Sequence, residues 1–183
     1  MKISEVLQQA DSLYPNPYTT EEKVRWCYDV SCGIRDNILK LYGEREQVIQ
    51  NGEEQILLPE GVRFWDVDSV FINGKKVKKV DARSFSGRGL KAGDVVRVVY
   101  KTLPDPFVVT DGVVDETCMT EVDAPYDGLY IDYVCAQIAF YQDDLSDHSK
   151  FITMYNEKLH DFAVKYRRTA PVIDGRGYQN LWA

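Results

Sequence analysis

Apolar residues recur every three or four positions at both ends of the chain, whereas they alternate with polar residues in its middle. The first spacing predicts amphipathic helices and the second predicts half-buried strands. We expect two helices at each end, an inserted antiparallel β module at 44–103 and a crossover loop at 104–124. The pattern therefore predicts an α+β fold in which 1–43 and 125–170 form one bundle of about four helices.

Capping and proline signals place the boundaries of the first two helices. The first helix ends before Pro15, because proline disfavours a helical conformation in the residue before it. Thr19 and Glu22 form a predicted capping box that starts the second helix. Gly43 is expected to end that helix in a left-handed turn.

The C-terminal helical hairpin begins, by the same reasoning, with Pro125 in the first turn of the third helix. Ser146 is expected to cap the fourth helix, and Tyr141 to lie on the buried stripe of the third. The aromatic residues at helical spacing are predicted to be core residues: Tyr133, Phe140, Phe151, Tyr155 and Phe162.

The strands of the β module are indicated by turn signals. Asn51-Gly52 and Asn73-Gly74 each separate two short strands, as in tight hairpins. Val95–Tyr100 is the clearest strand of the sequence. Residues 104–124 have the weakest periodicity and are interpreted as an irregular crossover back to the helices.

Composition narrows the function classes. The apolar fraction of 44% and charged fraction of 28% are typical of a soluble globular protein, and no apolar run is long enough to span a bilayer. The N-terminus lacks the apolar stretch of a signal peptide, which favours the cytoplasm. A net charge of −7 argues against tight binding of nucleic acid.

No known catalytic or metal-binding motif is present. The four cysteines have no metal-ligand spacing and are expected to be free thiols. Asp143, Asp144, Asp147 and His148 are potential metal ligands, but acidic residues at a helix start also complement the helix dipole. We expect no enzyme activity, cofactor or bound metal.

The C-terminal tail at 171–183 is polar except for Tyr178, Leu181 and Trp182. Large apolar groups in such a segment gain free energy only by docking. Their partner is either the body of the same chain, a neighbouring subunit or a second protein.

The order of these segments resembles that of head–tail connector (adaptor) proteins of long-tailed bacteriophages. The likeness covers most of the chain and is one of pattern. It rests on five sequence stretches: Leu13-Tyr14-Pro15-Asn16-Pro17-Tyr18, Val70-Phe71-Ile72-Asn73-Gly74-Lys75, Gly93 to Tyr100, Ala124 to Tyr130, and Phe151-x3-Tyr155-Asn156.

This resemblance implies a structural virion protein, assembled in the host cytoplasm and located in the neck of the particle. Such proteins form a ring of about twelve copies beneath the portal protein, above the next neck or tail protein. DNA passes through the ring without specific binding, and no membrane is involved. The tail residues Tyr178, Leu181 and Trp182 would dock on the portal or a neighbour. Lys75, Lys76 and Lys78 would make neck contacts.

Two other function classes stay open at this point. The β module could be a ligand- or peptide-binding module that uses Phe64, Trp65, Phe71 and the lysines after Gly74. Alternatively, Asp143, Asp147 and His148 could form an unrecognised enzyme site.

Overall fold

The computed structural model describes residues 1–51, 56–77 and 89–169. These residues form four α-helices and six β-strands, which divide into a helical unit and a sheet unit. The helical unit comprises Met1–Ile34 and Pro104–Ala183, and the sheet unit comprises Arg35–Leu103. The predicted α+β class, with helices from both ends of the chain and an antiparallel sheet from its middle, is confirmed.

Helix α1 spans Ile3–Leu13 and, as predicted, buries a stripe of small aliphatic side chains before the chain reaches Pro15. Helix α2 spans Thr20–Ile34. Its predicted capping box is confirmed, because the Glu22 amide donates to the Thr19 hydroxyl at 3.3 Å and the Thr19 amide donates to the Glu22 carboxylate at 2.8 Å.

The predicted end of α2 at Gly43 is wrong. The α-helix ends at Ile34, and a π-helical turn, Arg35–Leu39, follows it. In this turn the Lys40 amide donates to the Arg35 carbonyl. Gly43 instead lies inside a strand. A β-carbon there would stand 2.7 Å from the Tyr100 ring, so the absence of a side chain is required by cross-strand packing and not by a helix terminus.

The sheet unit contains four antiparallel strands in the order β1-β4-β2-β3. Their bounds are β1 Tyr42–Val48, β2 Val67–Ile72, β3 Lys75–Lys76 and β4 Val95–Lys101. The predicted Asn73-Gly74 hairpin joins β2 to β3, and both residues have the positive φ of a tight hairpin turn. One face covers a core of Ile49, Ile56, Val70, Leu90, Val96 and Val98.

The predicted first hairpin differs from the structure. Gly52 and residues 53–55 lie outside the described residues, and the chain from Ile56 to Leu58 is not a strand. This stretch is held by side chains of β1 instead, since Gln47 accepts from the Leu57 amide and Arg45 donates to the Leu58 carbonyl.

The predicted crossover contains a short hairpin that the sequence analysis missed. Strands β5, Val109–Thr110, and β6, Val113–Val114, pair antiparallel across Asp111-Gly112. Both turn residues have positive φ, which matches the twist of a two-residue hairpin.

Helices α3, Leu129–Tyr141, and α4, Leu145–Thr169, form the predicted C-terminal hairpin, but both expected start signals are wrong. Pro125 lies in a turn in which the Tyr126 amide donates to the Asp123 carbonyl, and α3 begins at Leu129, after a second turn. The cap of α4 is Asp144, whose carboxylate accepts from the Asp147 amide at 3.0 Å, and not Ser146.

The core of the helical unit surrounds α3, which packs against α1, α2 and α4. Nine of its thirteen residues are buried, including Asp132 and Tyr130. The Tyr130 hydroxyl lies 2.8 Å from the Ser31 hydroxyl and accepts from the Glu121 amide, and its burial raises the pKa of the phenol. N-terminal and C-terminal segments thus share one core, as predicted.

Candidate interaction surface

The acidic cluster before α4 has a structural role in the described residues. Asp144 caps the helix, and Asp143 occupies the positive-φ position of the preceding turn. His148 is also engaged, because its Nδ1 lies 2.9 Å from the Ala136 carbonyl oxygen, which can only accept. Among the described residues, no group of three or more His, Cys, Asp or Glu side chains could hold a metal ion.

Aromatic residues form the most distinctive surface of the helical unit. We define the end patch as Tyr18, Trp26, Phe140 and Tyr141. Trp26 stacks on Tyr141 with the ring planes 14° apart and the centroids 5.7 Å apart, and Tyr18 lies within 6.1 Å of both rings. The centroid of the Phe140 ring is 5.4 Å from that of Tyr141.

Two of the four residues of the end patch are open to solvent. Phe140 is 49% exposed and Tyr141 is 57% exposed, whereas both were predicted to lie in the core of the helical bundle. They occupy the last two positions of α3, and Tyr18 and Trp26 beside them are half-buried. Leu13 and Leu145, at neighbouring helix ends, are 62% and 66% exposed.

The position of the end patch is fixed by a link between α1 and α4. The Tyr14 hydroxyl donates to the Asp144 carboxylate at 3.0 Å, and the Tyr14 ring meets the Phe151 ring edge-on. The hydrogen bond from the Asp147 amide, followed by that from Tyr14, lowers the pKa of the Asp144 carboxyl group. The patch is therefore presented by connected helix ends.

Charged side chains around the end patch are mainly acidic. Glu21 and Glu22 are exposed in the first turn of α2, one turn before Trp26, and Asp143 and Asp147 lie between Tyr141 and His148. The exposed basic residues nearest along the chain are Arg25 and Lys150. Four acidic groups against two basic ones give the surroundings of the patch a negative charge.

The middle of the α3–α4 hairpin contrasts with this patch. There Tyr133 packs on Tyr155 with centroids 5.0 Å apart, and burial raises the pKa of Tyr155 to about 12. The Lys158 ammonium lies 2.6 Å from the Oδ2 atom of Asp132, whose carboxylate is buried. The opposite charges form an ion pair between α3 and α4.

The predicted neck-contact residues are only partly described. Lys75 and Lys76 are exposed on the short edge strand β3, and Lys76 lies opposite Phe71. Phe71 also packs against the guanidinium of Arg97 at 4.5 Å, and Arg97 pairs with Glu44. Lys78 lies outside the described residues.

The predicted docking residues Tyr178, Leu181 and Trp182 also lie outside the described residues. Their contrast with a polar segment is the basis of that prediction, which stays a prediction. Phe140 and Tyr141 were not predicted as surface residues, although their position just before the tight turn at Asp143 was a usable signal.

Comparison with protein-family models finds no matching family, and comparison with curated proteins finds no match. In the part of the chain that the structure describes, no helix combines the length and apolar character that crossing a membrane requires.

Proposed function

We propose that this protein is a structural subunit of a virion, a head–tail connector that forms a ring beneath the portal and joins the capsid to the tail. The observation that supports the proposal most is the division of the chain into two structural units. Both ends build one helical unit, while the middle builds a separate sheet unit. That division matches the arrangement on which the resemblance to connectors rests.

The exposed surface of α4 supports a role in assembly. This helix has 25 residues and is about 37 Å long. It packs mainly against α3, which has only 13 residues, and Phe151 is its only buried side chain among residues 145–167. A long helix covered along one side leaves a large surface for a neighbouring subunit.

A ring with rotational symmetry requires two different, complementary faces on each subunit. The end patch and the exposed side of α4 are two such candidates. In this proposal the tail residues Tyr178, Leu181 and Trp182 dock on the portal or a neighbour. Lys75, Lys76 and Lys78 contact the next neck or tail protein.

The net charge fits a DNA conduit. A ring of about twelve copies multiplies the charge of −7 by the number of subunits. Carboxylates that face a channel would repel DNA phosphates, so DNA could slide through without being held.

The test is to mix the purified chain with portal assemblies and image the product by electron microscopy. A symmetric ring of this chain on the portal is expected. Samples with and without portal are compared, because the proposal requires a ring on the portal and does not require one in its absence. Absence of the chain from portal particles, at concentrations where the chain stays folded, would contradict the proposal.

A second candidate function is ligand or peptide binding by the sheet unit, because Trp65 is 71% exposed and the guanidinium of Arg63 lies 5.5 Å from its ring. An exposed indole next to a cation is a common element of recognition surfaces. If ligand binding is the function, replacing Trp65 with Ala abolishes ligand affinity while ring assembly on the portal is unchanged.

A further inference from the structure

We infer that the end patch of one copy binds the C-terminal segment, residues 170–183, of a second copy of the chain. This inference rests on the proposed function only in requiring that copies of the chain assemble side by side. It names the two surfaces that meet and favours a second copy over the same chain as the source of the segment.

The end patch has the chemistry of a docking site for aromatic residues. Trp26 and Tyr141 form a stacked platform, Tyr18 borders it, and Phe140 stands at its side with half of its surface exposed. Exposed aromatic rings that are already in contact lose little conformational freedom when another ring packs on them. Tyr178 and Trp182 supply such rings, and Leu181 supplies an aliphatic contact.

The charges next to the two surfaces are opposite in sign. Glu21, Glu22, Asp143 and Asp147 lie within six residues of the patch aromatics along the chain. Lys165, Arg167 and Arg168 directly precede the C-terminal segment, in which Arg176 is balanced by Asp174. Opposite charges at the border of an interface favour the correct partner and accelerate association.

The length of the chain determines which copy supplies the segment. The end patch lies at the start of α4, where the Phe140 ring contacts His148, and the segment leaves the other end of the helix at Thr169. His148 and Thr169 are 21 residues apart, or about 32 Å along the helix axis.

To return to its own patch, the chain must first reverse direction after Thr169, and a reversal takes about four residues. Tyr178 is nine residues after Thr169, so five residues remain after the reversal. Five residues extend at most about 18 Å, which is less than the length of helix to be spanned. Tyr178 therefore does not reach the patch of its own chain, and Trp182 reaches it only at full extension. A second copy has no such limit.

The first experiment is a complementation test with the full chain. A patch variant carries Phe140→Ser and Tyr141→Ser, and a tail variant carries Tyr178→Ser, Leu181→Ser and Trp182→Ser. A matched control carries Val108→Ser and Val113→Ser, two exposed apolar residues of the helical unit that lie outside both the end patch and α4. Circular dichroism verifies that all variants keep their helix content.

Sedimentation velocity then measures the mass of each variant and of a mixture. The patch variant and the tail variant alone stay monomeric, whereas their equimolar mixture forms a one-to-one dimer, because one partner retains a patch and the other a tail. The control behaves like the wild-type chain. A mixture that stays monomeric while the wild-type chain self-associates would overturn the inference.

The second experiment applies if the wild-type chain is monomeric at all concentrations used. A fluorescent synthetic peptide of residues 168–183 is titrated with the tail variant, and its anisotropy is measured. Adding Phe140→Ser and Tyr141→Ser should weaken binding at least about tenfold, as expected for loss of aromatic anchors. Adding the control substitutions should leave the Kd unchanged.

Charge reversal tests the border of the patch. Glu21→Lys with Asp143→Lys should weaken binding of this peptide and strengthen binding of a peptide with Arg168→Glu and Arg176→Glu. Absence of peptide binding, or equal loss in the control variant, would overturn the inference.

These outcomes are separate from the test of the connector proposal. If a patch variant still forms rings on portals, the inference fails and the proposed function stands. If copies bind through patch and tail but never assemble on a portal, the proposed function fails and the inference stands.

Discussion

The middle of the α3–α4 hairpin and its end at the patch contain the same kinds of residues in very different environments. In the middle, Tyr133 and Tyr155 lie between the two helices, and Asp132 pairs with Lys158. At the end, Phe140 and Tyr141 are about half exposed. Aromatic residues at helical spacing therefore do not by themselves indicate a core. Nor does nearness to a helix end by itself predict exposure, because Tyr130, the second residue of α3, is fully buried.

The largest expected difference is in the stability of alanine variants at two phenylalanines, one buried and one in the end patch. Phe151→Ala should lower the free energy of unfolding by about 3 kcal/mol, because a buried ring is lost and a cavity remains. Phe140→Ala should lower it by about 1 kcal/mol or less, because its ring is already half hydrated. Urea denaturation of both variants measures the difference. Equal losses would show that the end patch is part of the folding core.

The next largest effect on stability is expected at the ion pair between Lys158 and Asp132. Lys158→Met should cost about 3 kcal/mol of unfolding free energy, because it leaves the buried Asp132 carboxylate without a counter-ion. Lys150→Met, on the exposed side of the same helix, should cost about 1 kcal/mol or less. The double change of Lys158→Met with Asp132→Leu should recover part of the loss. Absence of recovery in urea denaturation would mean that packing by the lysine stem, and not charge, is what α4 requires.

The smallest effect concerns the start of α4. The pKa of Asp144 is lowered in the folded state, so its ionised form stabilises the fold at neutral pH. That contribution is fully present above the ordinary carboxyl pKa of 3.8 and is lost as the pH falls through the lower, folded-state value. The stability gap between wild type and Asp144→Asn should therefore narrow below about pH 4. Ser146→Ala should leave stability unchanged at every pH, and a loss there would restore Ser146 as the cap.

Much of the fold could be predicted from the sequence because its signals are local. The stripe from Ile3 to Ala10 and the box at Thr19 and Glu22 each act within one or two helical turns. Asn73-Gly74 likewise determines its own turn. The Asp111-Gly112 hairpin had the same kind of signal, but its strands are only two residues long, so no alternation was visible.

The errors have non-local causes. Gly43 is required by a ring 57 positions away in the sequence, at Tyr100. Asp144, which caps α4 in place of Ser146, also accepts a hydrogen bond from the Tyr14 hydroxyl, 130 positions away in the sequence. Both relations join residues that are far apart in the sequence, so the neighbouring residues carry no sign of them.

The Asp132–Lys158 pair also has a mechanical consequence. Sliding α4 by one turn along α3 would displace the Lys158 ammonium by about 5.4 Å and leave the buried Asp132 carboxylate without its counter-ion. Intermediate positions are penalised as well, so the two helices have a single preferred axial register. A force applied along the axis of α4 is therefore transmitted to α3 without a change of register between the two helices.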